Sequence, residues 1–178
     1  MIDKRKLKYF EDIAMSDSDI RNKLGERTNI VMYPDLHKYR SIDQVLGGHN
    51  NAVILYEAKP QYGHWTAILK PRGDLLEFFN SYGGYPDTSL SHIDKSFREE
   101  SNQDFPYLSQ LLIDSPYNLS YNEHKLQKHA DDVLTCGRHV IFRIRNSHLS
   151  LPDYKRLLDE LKKKYNTDYD GVVTIETV

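Results

Sequence analysis

Three apolar runs of strand length stand close together in the middle of this chain: "NAVILYEA" at 51–58, "HWTAILK" at 64–70 and "LLEFFN" at 75–80. Only the turn-like segments "KPQYG" and "PRGD" separate them. Runs so close in sequence pair as consecutive strands of an antiparallel meander. Their apolar content requires cover on at least one face, and helices elsewhere in the chain can supply it. "MSDSDIRNKLG" opens on capping residues and closes on Gly25, which predicts a helix near 17–24. From Cys136 onward, Val140, Ile141 and Ile144 recur at helical spacing, with Thr135 as a candidate N-cap. "SLPDYKRLLDELKKKY" at 150–165 reads as a second strong helix, capped by Ser150 and striped by Leu157, Leu158 and Leu161. The expected fold class is therefore α+β. A central mixed or antiparallel sheet is flanked by helices, with the cysteine at the N-terminus of a core helix.

The remaining segments are weaker. "NIVMY" at 29–33 is a short extended piece halted by Pro34, and "SIDQVLGG" is a short helix ending in glycines. Residues 90–113 read as helix, above all "FPYLSQLLID", and a polar stretch follows to Gln127. "SYGGYPD" breaks the strand pattern, and the tail "GVVTIETV" reads as a late edge strand or as loose chain. At 178 residues the chain suits one domain, 1–178, with 1–15 and 166–178 at its periphery.

Composition narrows the function. A net charge of -2 does not support general nucleic-acid binding, which draws its affinity from many phosphate contacts. The basic runs "KRKLK" and "KKK" suit solvated helix faces. One cysteine excludes an intramolecular disulfide and a zinc site built on several thiolates. No H-x-x-x-H or carboxylate pairing supports a metal site, and no cofactor is implied. Charge begins at residue 3, so no secretory signal is expected. No stretch approaches the ~20 apolar residues of a membrane span. The expected setting is a reducing compartment without membrane attachment. There the glycosylation sequon at Asn118 carries no meaning, and "RGD" at 72–74 is simply a turn.

The cysteine lies in "CGRH" at 136–139. In the first turn of a helix, unpaired N–H groups and the dipole favour a thiolate and lower the thiol pKa. Such a nucleophile needs a basic partner. His64 opens a strand directly after a glycine-containing turn, a setting that is rigid yet open to substrate. His139, three residues after Cys136 on the same helical face, is its rival. His37, His49, His92, His124, His129 and His148 have no comparable setting. Asn80 ends the strand that pairs with the one His64 begins, so the two meet in an antiparallel hairpin. Its amide oxygen can accept the imidazole N–H and fix the tautomer. Glu77 is the alternative, although strand alternation puts it on the opposite face from Asn80. For an oxyanion, the backbone N–H of Cys136 and the amide of Gln127 are the candidate donors.

Taken in order, "GHW", "FFNSYG", "LQ" and "TCGRHV" resemble the adenovirus-type cysteine proteases, in the versions carried by virophages, Maverick-like elements and giant DNA viruses. "SDSDIRNKL", "VMYPDLHKY", "SIDQVL" and "YNEHKLQ" extend the resemblance over most of residues 16–155. Deconjugases of ubiquitin-like proteins share the same residue order. The resemblance implies His64 as general base, Asn80 as its orienter, Gln127 as oxyanion donor, Cys136 as nucleophile and Trp65 as a wall of the substrate cleft. Three departures stand out. The orienter is Asn rather than acidic, the Gln-to-Cys interval "KHADDVLT" is slightly long, and no second cysteine exists to tether a peptide activator.

The implied activity is cysteine endopeptidase cleavage through a thioester, after small residues such as glycine. The implied substrates are viral capsid or core precursors, and the implied place is the virion or a cytoplasmic viral factory. The DNA cofactor of adenoviral enzymes is not supported by the modest charge. A deconjugase of ubiquitin-like modifiers and a non-enzymatic virion scaffold are the alternatives.

Overall fold

The computed structural model describes residues 3–178. Five strands form one sheet in the order β1 (Asn29–Met32), β2 (Asn51–Lys59), β3 (Tyr62–Leu69), β4 (Leu75–Phe79) and β5 (Asn118–Tyr121). The meander of β2, β3 and β4 is antiparallel, and each outer strand joins it in parallel. Helices flank this mixed sheet, as an α+β chain requires.

Both faces of the sheet are covered, which explains why Ala52, Val53, Ile54, Leu55 and Tyr56 are all buried in succession. On one face Val53, Leu55, Trp65, Ala67, Leu69 and Phe79 meet the helices from the C-terminal part of the chain. On the other, Ile54, Tyr56, Ile68 and Phe78 meet Tyr33, Leu36, Val45, Leu108 and Leu112.

The predicted helices form α2 (Asp17–Leu24), α6 (Cys136–Arg145) and α7 (Leu151–Tyr165). The Ser16 and Asp19 side chains cap α2 reciprocally, and Ser150 caps α7. Of the stripe on α7, Leu158 is buried, and Leu157 and Leu161 pack partly against the core. "SIDQVL" forms α3 (Ile42–Leu46), closed by left-handed Gly47. The first basic run lies in the exposed α1 (Lys4–Glu11), which has no buried residue. Pro34 does more than halt β1, because it sits in the first turn of a 3-10 helix over Tyr33–Lys38.

Four expectations change. Residues 90–113 are not one helix but a 3-10 turn followed by α4 (Lys95–Glu100) and α5 (Tyr107–Ile113). The chain breaks at left-handed Asn102 and at Pro106, which precedes α5. The polar stretch hides β5, whose entry is fixed by the Asn118 N–H on the Asp74 carbonyl rather than by apolar alternation. The tail is neither strand nor loose. It forms α8 (Tyr169–Thr177), capped by Asp168, and it buries Val172 and Val173 in the core beside α6. The segment expected at the periphery thus supports the helix that bears the cysteine. Finally, Thr135 is not an N-cap in the side-chain sense: its backbone is not extended, and its hydroxyl turns away to Asp170. Among the described residues, no helix is long and apolar enough to cross a membrane.

Candidate active site

His64 enters β3 two residues after its start, where Gly63 is indispensable. A Cβ on Gly63 would lie 1.8 Å from the Tyr56 carbonyl oxygen, so no side chain fits. Carrying the β3–β4 register past Ala67 and Phe79 brings His64 level with the turn that follows β4. There His64 Nε2 lies 2.8 Å from Asn80 Oδ1, and the Tyr82 ring stacks on the imidazole at 4.5 Å. The same Asn80 oxygen accepts the Tyr82 backbone N–H at 2.9 Å, which identifies it as the carbonyl end of the amide. Nε2 must therefore carry the proton, and the ring's lone pair is left on Nδ1. Asn80 is itself held at both backbone groups by Asn122, at 3.0 Å to its N–H and 2.6 Å to its carbonyl.

Cys136 starts α6, which packs across β3. The residue is 9% exposed, and burial pushes the thiol pKa up against the opposing pull of the N–H groups of Trp65, Gly137 and Cys136 itself. The Trp65 amide belongs to the residue after His64. A negative charge on Cys136 is also felt at Tyr82, the ring stacked on that histidine. Thiol and imidazole thus share one corner of the sheet. Burial lowers the His64 pKa to about 4, partly offset by the Asn80 bond. The expectation of a lowered thiol pKa is corrected here: the cost of burial outweighs the helix terminus, and both groups rest neutral near pH 7.

Gln127 is 2% exposed. Ser81, the residue after Asn80, donates its hydroxyl to Gln127 Oε1 at 2.7 Å and accepts the Gln127 backbone N–H on its carbonyl at 2.9 Å. Gln127 Nε2 donates to the Val133 carbonyl at 3.1 Å, which uses one of its two hydrogens. The Asn80–Ser81 turn therefore ties the imidazole's orienter to the predicted oxyanion donor.

Trp65 lies elsewhere than the resemblance implied. It is 3% exposed, and its indole N–H is bound to the Met15 carbonyl at 2.9 Å. Its edge faces Gly137, where a Cβ would come within 3.3 Å of the indole and 3.0 Å of Met15. Trp65 braces the first turn of α6 from behind instead of walling the cleft. The glycine in "CGRH" is what lets helix and indole approach. A cleft of about 280 Å³ does open on His64, between Tyr62, Tyr82, Ser89 and His92.

The rival histidine is committed elsewhere. His139 is fully buried, and its Nε2 lies 3.0 Å from Asp170 Oδ1. Glu77, the alternative orienter, is also engaged: it grips buried Arg143 of α6 through two bonds of 2.9 Å. Sequence reasoning passed over Ser81, Tyr82 and Asn122. Only the "SYGG" break after Asn80 signalled a built turn there.

No family model matches the chain. Among solved structures it is similar to the ASFV pS273R protease, at 19% identity and a TM-score of 0.44 over 77% of this chain. It spans 60% of that protein's length. It is also similar to the central domain of the uncharacterized Lpg1148 protein of Legionella pneumophila, at 18% identity and a TM-score of 0.42, over 92% of this chain and 93% of the other. A nearer relative is the uncharacterized protein V9 of Sputnik virophage. At 46% identity over 174 residues, spanning 98% of this chain and 99% of the relative, the match shows that the chain belongs to the family of that virophage protein.

Proposed function

We propose that this chain is a cysteine endopeptidase acting as a single unit over residues 1–178. Cys136 is the nucleophile, His64 the base and acid, and Asn80 the residue that orients it. Gln127 and the Cys136 N–H are the oxyanion donors. One observation carries the reading: the 2.8 Å bond from His64 Nε2–H to Asn80 Oδ1, which leaves the His64 Nδ1 lone pair as a base, one residue before the Trp65 N–H that faces the Cys136 thiol.

From the neutral pair, the thiol proton passes to His64 Nδ1 as sulfur attacks the substrate carbonyl carbon. The carbonyl electron pair moves to oxygen, which accepts the Cys136 N–H and the second hydrogen of Gln127 Nε2. When this intermediate collapses, the C–N bond breaks, the imidazolium protonates the leaving amine, and an S–acyl thioester remains. His64 then takes a proton from water, the hydroxide adds to the thioester, and the thiolate leaves and recovers its proton.

The sequence resemblance supports capsid or core precursors cut after small residues such as glycine, in the virion or in a cytoplasmic viral factory. Incubation with a virophage capsid precursor, and with ubiquitin-like fusions, tests the reading. Cleavage of the precursor is expected, and cleavage of the fusions alone would make the protein a deconjugase. Cys136→Ala should abolish turnover, and His64→Ala should lower it ~10²–10⁴-fold. Gln127→Ala should lower it ~10²–10³-fold. A folded protein that cuts neither substrate would be a scaffold.

A further inference from the structure

Outside the residues already assigned, one buried carboxylate touches the chain next to each of the two candidate oxyanion donors. Asp170 lies in the first turn of α8 and is 1% exposed. Its Oδ1 accepts the Thr135 hydroxyl at 2.5 Å and faces His139 Nε2 at 3.0 Å. Its Oδ2 accepts the Lys128 backbone N–H at 3.1 Å. Thr135 immediately precedes Cys136, and Lys128 immediately follows Gln127. The slightly long interval 128–135 is therefore held at both ends by one side chain, while the Val133 carbonyl within it anchors the Gln127 amide.

We propose that Asp170 is a positioning residue, which sets the separation between the Gln127 amide and the Cys136 N–H. The proposal rests on the peptidase reading. Thr135 gives up the usual capping geometry to reach Asp170, and His139 packs against the same oxygen, so the carboxylate cannot rotate away from either end of the interval. A donor pair that closes on a transient oxyanion tolerates little error, and displacement by about 1 Å can cost ~10²-fold in rate.

Two probes of Cys136 separate positioning from general support. Iodoacetamide alkylates the thiolate by displacement at a saturated carbon and forms no oxyanion. A peptide aldehyde ending in glycinal adds the thiol across its carbonyl: the S–C bond forms, and the oxygen occupies the oxyanion site and takes the proton. Both are applied to the full chain as wild type, Asp170→Asn, Thr135→Val and Thr135→Ser. Asp170→Asn and Thr135→Val should weaken aldehyde inhibition by about 10- to 100-fold. The iodoacetamide rate of Thr135→Val should stay unchanged and that of Asp170→Asn should not fall, because losing the Asp170 charge eases ionisation of the thiol. Thr135→Ser, which keeps the hydroxyl, should restore aldehyde affinity. Aldehyde affinity equal to wild type in both Asp170→Asn and Thr135→Val would overturn the proposal, as would a parallel fall with both probes. If Asp170→Asn does not fold, the Thr135→Val and Thr135→Ser pair decides alone, and equal aldehyde affinity in the two overturns the proposal. A wild type inert to both probes would instead bring down the peptidase reading, and this proposal with it.

Discussion

Cys136 is a buried residue, so its thiolate would lack most of the hydration it has in water, and the N–H groups around it do not make up that loss. The alkylation rate of the substrate-free protein should therefore rise with pH to a midpoint above the ~8.5 of a free thiol. Intact mass after iodoacetamide treatment reads this directly, since no other cysteine competes. A midpoint well below the free value would mean a preformed thiolate–imidazolium pair. The imidazole has a matching signature. A base with a pKa of about 4 stays competent until the solution is distinctly acid. Asn80→Asp keeps an oxygen on the Nε2–H and Tyr82 N–H but adds a negative charge, which favours the imidazolium. The acid limb of kcat/KM should then move to higher pH while turnover at neutral pH persists. A limb that stays in place would show that residue 80 does not touch the base electrostatically.

At the scale of elements, α6 is pinned to the sheet at both ends. Trp65 and Gly137 fit together at its first turn, and Glu77 grips Arg143 near its last. Arg143 is fully buried, so Glu77→Gln leaves a charge without a counterpart in the interior. Breaking a buried pair from one side costs about 3–5 kcal/mol, to be read from urea unfolding. A loss under 1 kcal/mol would show that the Asn146 and Leu149 carbonyls alone satisfy Arg143. Elements with strong periodicity were legible beforehand: the meander from its spaced apolar runs, α2, α6 and α7 from capping and stripe. Those shaped by distant partners were not. "GVVTIETV" has the β-branched content of a strand, and only burial of Val172 and Val173 against α6 makes it a helix. β5 has no alternation because it is a short edge strand exposed at Leu119. The His64–Asn80 meeting could be read from hairpin logic. Asp170 could not, because nothing near it in sequence announces its partners at Lys128, Thr135 and His139.

For the molecule as a whole, the two neutral groups define a pH window of stability. The unfolded chain binds a proton at its histidines near pH 6.5, whereas folded His64 does so only near about 4. Between those values the unfolded state holds more protons, so the stability contributed by neutral His64 is complete above 6.5 and is lost as pH falls toward 4. The thiol works in the opposite sense: its folded pKa is raised, so its contribution is complete below the free-thiol value and is lost as pH rises beyond it. Urea midpoints measured across pH should trace a plateau between these limits. His64→Gln should flatten the acid side, and an unchanged acid slope would place the loss in other groups.

The connectivity of the sheet has a consequence in time. His64 and Asn80 are joined by one local antiparallel hairpin, whereas Cys136 lies far along the chain, beyond both outer strands, and packs back on β3. Contacts close in sequence form ahead of distant ones. The hairpin can therefore bring base and orienter side by side before the nucleophile is sheltered, and an unfinished molecule leaves its thiol in open water.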